Sequence, residues 1–287
     1  IQAVDCKYDC ETRVDAMASD GAVDGDQTQW NSVDVTAERK VELKDGSIYQ
    51  GQWRENAREG HGILSLPDGT VYEGQFQGSK KHGHGTLTYA SGGQYVGQFR
   101  NELKHGKGKW VCPSTYSATV AGDANQAAME SCYDGEWFED QQHGRGTETW
   151  EDGSSFTGTF VMGKKQGEGT FQWSENSRYT GSFADNAMHG QGTYRWADGR
   201  TYVGTWQANV MHGEGKMTWA DGRIYQGSFQ SGKRHGEGKF SQKDGRTITG
   251  QWAHGKAHGI GTLTMSDGTG ERVGRWENGD WKEWIEA

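Results

Sequence analysis

The chain has 287 residues, of which only 32% are hydrophobic, while glycine occurs 46 times and proline twice. That apolar share argues against a large buried core. The 13 tryptophans and 11 tyrosines argue against disorder, because disordered chains lack the large apolar groups whose burial offsets the entropy of ordering. The formal charge is −9, of which residues 1 to 48 hold −6. The remainder is nearly balanced and lacks the clustered Lys and Arg that nucleic acid or an anionic membrane surface calls for. No apolar run is long enough to span a bilayer.

Residues 1–37 form an acidic, poorly patterned N-terminal extension. Asp20, Asp24 and Asp26 cluster there as a cation site would, but they miss the EF-hand pattern, and a solvated loop is expected. Cys6 and Cys10 make a close pair. Further on, Val33, Val35, Val41 and Leu43 alternate as an added strand or two, ahead of the Asp45-Gly46 turn.

Over residues 38–279 an aromatic-glycine-aromatic triplet repeats. It reads Tyr49-Gly51-Trp53, Tyr72-Gly74-Phe76, Tyr95-Gly97-Phe99, Tyr133-Gly135-Trp137 and Phe156-Gly158-Phe160. It continues as Tyr179-Gly181-Phe183, Tyr202-Gly204-Trp206, Tyr225-Gly227-Phe229 and a weaker Ile248-Gly250-Trp252, with a degenerate tenth copy near Arg272-Gly274-Trp276. The step is 23 residues, broken once by an insertion of 15 within about 111–132. A fixed period of this length marks a repeat architecture.

Each unit reads as a β-hairpin. The triplet sets an aromatic, a glycine and an aromatic on one strand face, with polar residues such as Glu73 and Gln75 between them. A second strand alternates again, with Leu87 and Tyr89, Phe171 and Trp173, Tyr194 and Trp196, and Met217 and Trp219 sharing a face opposite Thr86, Thr88, Thr193 and Arg195. Asp-Gly pairs at 68–69, 152–153, 198–199, 221–222, 244–245 and 267–268 supply tight turns to the next unit, because both residues tolerate positive φ.

The unit Y-x-G-x-[WF]-x5-HG-x-G-x-[LFYM]-x-[WY]-x-DG resembles the MORN repeat. The resemblance covers about 240 of the 287 residues in nine copies. It implies an all-β fold, an elongated single-layer antiparallel sheet of stacked β-hairpins, with short terminal caps. The family's arrays sometimes sit beside catalytic domains such as lipid kinases or SET-domain methyltransferases, for which the repeats leave no length here.

The HGxG run, seen at His82, His105, His143, His189, His212, His235 and His258, invites two chemical readings. A phosphate loop needs a strand-to-helix junction, and no helix is expected to follow. A metal site shared along the ladder fails on distance, since equivalent histidines sit two strands, or about 10 Å, apart while metal–nitrogen bonds are about 2 Å. His82 with His84 is the one local pair, two ligands short of a site. A structural role is favoured. The glycines make room for aromatic rings over the backbone, and the histidine satisfies a backbone group, because Glu59 and Gln166 fill the same slot in the first and fifth copies.

Cys112 and Cys132 bracket the insertion, whose ends rejoin adjacent strands, so a disulfide is expected there and a second at Cys6–Cys10. Paired cysteines favour an oxidising compartment, secreted, periplasmic or lumenal, and the start at Ile1 fits a processed chain. Four reduced thiols in a cytosolic scaffold are the other reading. At residues 280–287, Asp280 and Glu283 ahead of Trp281, Trp284 and Ile285 predict a short capping helix over the last strand.

No nucleophile elbow, H-E-x-x-H or paired CxxC occurs, so a non-enzyme without metal or cofactor is expected. The leading function is a protein-interaction scaffold that binds a protein partner or another copy of itself, with Tyr179, Trp196, Tyr202, Trp206, Trp219 and Tyr225 as the interaction face. Carbohydrate binding by the same aromatics is one alternative. Phosphoinositide or membrane association is another, disfavoured by the charge balance but kept open by Lys80-Lys81, Lys164-Lys165 and Lys233-Arg234.

Overall fold

The computed structural model of the protein describes residues 36–112, 131–268 and 270–285. Cys6, Cys10, the Asp20, Asp24 and Asp26 cluster, Val33, Val35 and most of the insertion lie outside them. Among the described residues there is no helix. Twenty-one strands run from β1 (Thr36–Glu42) to β21 (Asp280–Trp284), and each pairs antiparallel with its neighbours in the chain to make one open sheet.

The hairpin of β2 (Ile48–Arg54) and β3 (Ala57–Ser65) shows how each unit is made. Gly51 faces Gly62 across the pair, and the register then jumps, so that Trp53 faces Arg58. One residue of β2 therefore opposes three of β3, a bulge closed by a left-handed residue on the longer side. Gly60, the first glycine of the HGxG position, supplies it with φ +64°. The same register jump recurs in the hairpin of each later triplet through the ninth.

The facing glycines create the seat for the aromatic ring. A Cβ on Gly62 would stand 2.4 Å from the Tyr49 hydroxyl oxygen and 2.6 Å from its ring carbons. Tyr49 therefore lies flat along the backbone, and its hydroxyl donates to the carbonyl of Gln52 at the bulge. Seven repeats have this tyrosine-to-carbonyl bond, three residues along the chain. Phe156 takes the same seat without a hydroxyl.

Two kinds of turn reverse the chain. Within a repeat the loop has two residues, both at positive φ, such as Asp185 and Asn186 or Ala208 and Asn209, as a type I′ hairpin requires. Between repeats only the glycine of the Asp-Gly pair is left-handed, Gly199 at +89° for example. The aspartate acts differently from the expected positive φ: Asp198 accepts the Arg200 backbone N–H, and Asp221 and Asp244 repeat the contact with Arg223 and Arg246. Hydrogen bonds from arginine hold all three exposed carboxyls below their ordinary range, the guanidinium of Arg223 and of Arg246 contributing most at Asp221 and Asp244 and the Arg200 backbone N–H most at Asp198.

Both ends add strands. Val41 belongs to β1, one strand paired with β2. At the other end the expected capping helix is a strand: β21 pairs with β20 (Glu271–Glu277), and Ile285 N–H donates to the Val273 carbonyl. Asn278 and Gly279, at φ 54° and 94°, form a type I′ turn that returns the chain to the open edge of β20, where unpaired backbone groups outcompete a one-turn helix.

The expected Cys112–Cys132 disulfide is not formed; both are free thiols. Across β7 (Leu103–Cys112) and β8 (Ser131–Phe138), Cys132 faces Val111 and Cys112 faces Ser131. Directly opposed residues share a sheet face and successive residues alternate, so the two side chains point to opposite faces. Cys132 instead contacts the Thr149 hydroxyl at 2.9 Å.

Two substitutions separate the seat from the hydroxyl. Gly204→Ala places a Cβ 2.6 Å from the Glu214 carbonyl oxygen and the Gly215 Cα, both backbone atoms, and should cost about 2–3 kcal/mol in urea unfolding. Tyr202→Phe loses the bond to the Thr205 carbonyl but keeps the ring, and should cost about 1 kcal/mol in the same measurement. Equal costs would refute the seat.

Candidate interaction face

The seated rings build a ladder along one sheet face. Tyr49 meets Trp53 of its own strand edge-on at 5.2 Å and Phe76 of the next repeat at 5.0 Å. The same two contacts recur without a break from Tyr72 to Tyr225 and end on Trp252. Each edge-to-face pair is worth about 0.5–1.5 kcal/mol beyond its buried area. The insertion leaves the ladder intact, since Tyr95 reaches Trp137 across it at 5.3 Å.

The ladder buries most of the residues expected at the interaction face. Tyr179, Tyr202 and Tyr225 are 0% exposed and Trp206 is 4% exposed, so they are core, seated on glycine pairs beneath their neighbours. Trp196 and Trp219 are half-buried. They belong to a second, outer row with Trp150 and Trp173, linked by Trp150–Phe171, Phe171–Trp173, Trp173–Tyr194 and Tyr194–Trp196 contacts of 4.5–5.2 Å.

A cationic row on the same face escaped the sequence reading. Arg58, Lys81, Lys104, Lys165 and Arg234 each face the second aromatic of their triplet, at one fixed position two residues beyond the hairpin turn. Lys104 lies 4.8–5.6 Å from the rings of Tyr89, Tyr95, Trp110 and Trp137, and Arg234 lies 4.4 Å from Trp252. Glu148, 5% exposed where other repeats carry Leu, Met or an aromatic, meets Lys165 at 2.8 Å. The signal was available as a recurrent basic residue, but charge after a turn reads as solvated surface.

This row also reinterprets the basic pairs near the turns. One member of each faces inward: Lys81 pairs with Glu102 at 3.0 Å, Lys165 with Glu148, and Arg234 donates to the Gly255 carbonyl among aromatic rings. Lys164 pairs with Asp185. The pairs thus present less positive charge outward than their sequence suggests.

The slot before the first glycine of HGxG bridges to the next hairpin. Glu59 accepts the Gly78 N–H at 2.9 Å, Gln166 the Asp185 N–H at 3.0 Å and His143 the Met162 N–H at 3.5 Å. His105 and His143 also flank the Phe138 ring. Among the described residues no group of three or more His, Cys, Asp or Glu is placed to hold a metal, and His82 with His84 gains no third ligand.

A bulged hairpin with one seated aromatic ring, repeated in register along an open sheet, defines a repeat protein. The family model of the MORN repeat matches nine segments, 49–71, 72–94, 95–114, 133–155, 156–178, 179–199, 202–222, 225–245 and 249–270, and the chain belongs to the MORN-repeat family. Comparison with curated protein sequences yields no match. Among solved structures, the SAS-4 (dCPAP) TCP domain of Drosophila melanogaster, in complex with a proline-rich motif of Ana2 (dSTIL), aligns at TM-score 0.35 and 12% identity over 71% of this chain and 98% of that one. An inactive virginiamycin B lyase from Staphylococcus aureus with quinupristin aligns at TM-score 0.16 and 8% identity, covering 82% and 92%. A streptogramin B lyase aligns at 0.17 and 10%, covering 86% and 85%. Likenesses at these scores carry no argument about this chain.

Burial of the seated phenols has a titration consequence. Desolvation raises the pKa of Tyr72, Tyr95, Tyr133, Tyr179 and Tyr202 well above the usual 10, and pushes Tyr225 up to about 12. The folded state holds these protons after the unfolded chain has released them, so stability is fully present below about pH 10 and falls as pH rises from there toward 12 and beyond. Urea midpoints across pH 9–12 should decline, with the seated tyrosines ionising only on unfolding. A flat profile would contradict the burial.

Proposed function

We propose that the chain is a non-catalytic scaffold, a subunit or accessory of a larger assembly, which holds a protein partner or another copy of itself on its aromatic face. The observation that carries this reading is the outer row, where Trp173, Trp196 and Trp219 keep part of each ring open while their neighbours hold them in place. Large aromatics that are preordered and partly open are the side chains from which binding hot spots are made. Family membership supports the same reading in general terms, since MORN repeats are typically protein- or membrane-interaction repeats.

The test is affinity capture from an extract of the source cells with the tagged chain and its Trp196→Ala and Trp219→Ala variants. A stoichiometric protein partner should be retained by the parent and reduced at least tenfold by either variant, with far-UV circular dichroism unchanged. Monomeric behaviour at every salt concentration tried, with no retained protein, would sink the proposal.

A further inference from the structure

Trp173, Trp196 and Trp219 occupy one position in three successive repeats, each at the start of a turn. Equivalent positions are two strands apart, so the tryptophans recur about every 9.6 Å along the sheet. The indole N–H groups of Trp137, Trp206 and Trp252 donate to the Gly108, Gly192 and Gly238 carbonyls, whereas those of Trp173, Trp196 and Trp219 find no acceptor among the described residues. The row is therefore a set of half-open rings and spare donors at one fixed spacing.

A polyproline II helix advances about 3.1 Å per residue with three residues per turn, and so presents the same side every ~9.3 Å. It makes no internal hydrogen bonds, which leaves its carbonyls free to accept, and aromatic-lined grooves are its usual receptors. The two periods agree to within a few per cent. We propose that the outer tryptophan row binds a proline-rich segment of a partner protein in polyproline II conformation, laid across the strands, with one side chain per turn between successive tryptophans. This rests on the scaffold reading and names its partner class.

Charge gives the segment a direction. Asp152 and Glu175 sit in the turns after Trp150 and Trp173, while Lys243 stands at the far end with Arg223 and Arg246, whose charges Asp221 and Asp244 balance. Arg200 and Arg223 lie over Trp196 and Trp219 at 5.0 and 5.4 Å and are tied to the aspartates of their own turns. A segment with basic residues at its Trp173 end complements this gradient.

Isothermal titration of the full chain with a peptide of Arg-Arg followed by four Pro-Pro-Ala triplets tests the proposal. Saturable binding is expected, at least tenfold weaker when alternate prolines are glycine and also when Glu-Glu replaces Arg-Arg. Trp196→Ala or Trp219→Ala should weaken it at least tenfold. Trp196→Phe keeps a ring for folding while removing the N–H, and should weaken it severalfold. Equal affinity for the glycine peptide, or no loss in Trp196→Phe and Trp219→Ala, would overturn the proposal. So would β-linked oligosaccharides or phosphatidylserine vesicles binding through Trp196 where the proline peptide does not. A protein partner retained through Trp196 that the proline peptide fails to displace would refute this inference and leave the scaffold standing.

Discussion

The sheet depends on an aromatic ring lying where two facing glycines leave no side chains, because that contact gives a single layer of strands something to bury against. An ordinary open sheet needs a second layer to cover its apolar face. Here Tyr49 and its equivalents are driven flat onto the backbone of their own hairpin, so the cover comes from within the unit. The bulge follows from the same contact. In the seven repeats seated by tyrosine, the phenol hydroxyl donates to a backbone carbonyl at that bulge.

The period, the hairpins and the face of each aromatic could be read from residues alone, since glycine spacing and period-two alternation are local properties. What lay beyond local reading was settled by competition or by register. Asp280 and Glu283 are a fair helix start, yet Asn278-Gly279 is a stronger hairpin signal beside an open strand edge. Cys112 and Cys132 are close along adjacent strands, yet a one-residue register offset turns their thiols to opposite faces. Tyr179, Tyr202 and Tyr225 look available in a single-layer sheet until the ring seat is known.

The aromatic face therefore has two depths with different duties. The inner ladder is structural and buried, and the outer row of Trp173, Trp196 and Trp219 is what a partner meets. The inward cations divide the face further. Repeats with Lys104, Lys165 or Arg234 fill the space above the rings with their own charge, whereas Met188 and Met211 occupy the equivalent position in the two repeats whose outer tryptophans are Trp196 and Trp219. Methionine adapts its shape to what packs on it, so the inner side of that stretch is compliant.

The ladder ends at Trp252 because the ninth triplet begins with Ile248, which has no ring to pass the contact on. Hydrogen bonds and register continue to β21, but the edge-to-face coupling does not. In a one-dimensional array stability is a sum of unit and nearest-neighbour terms, so a missing coupling is a weak link at a definite place. The sheet is thus thermodynamically lopsided: from Trp53 to Trp252 it melts as a coupled block, and the last strands are free to fray and re-form at little cost to it.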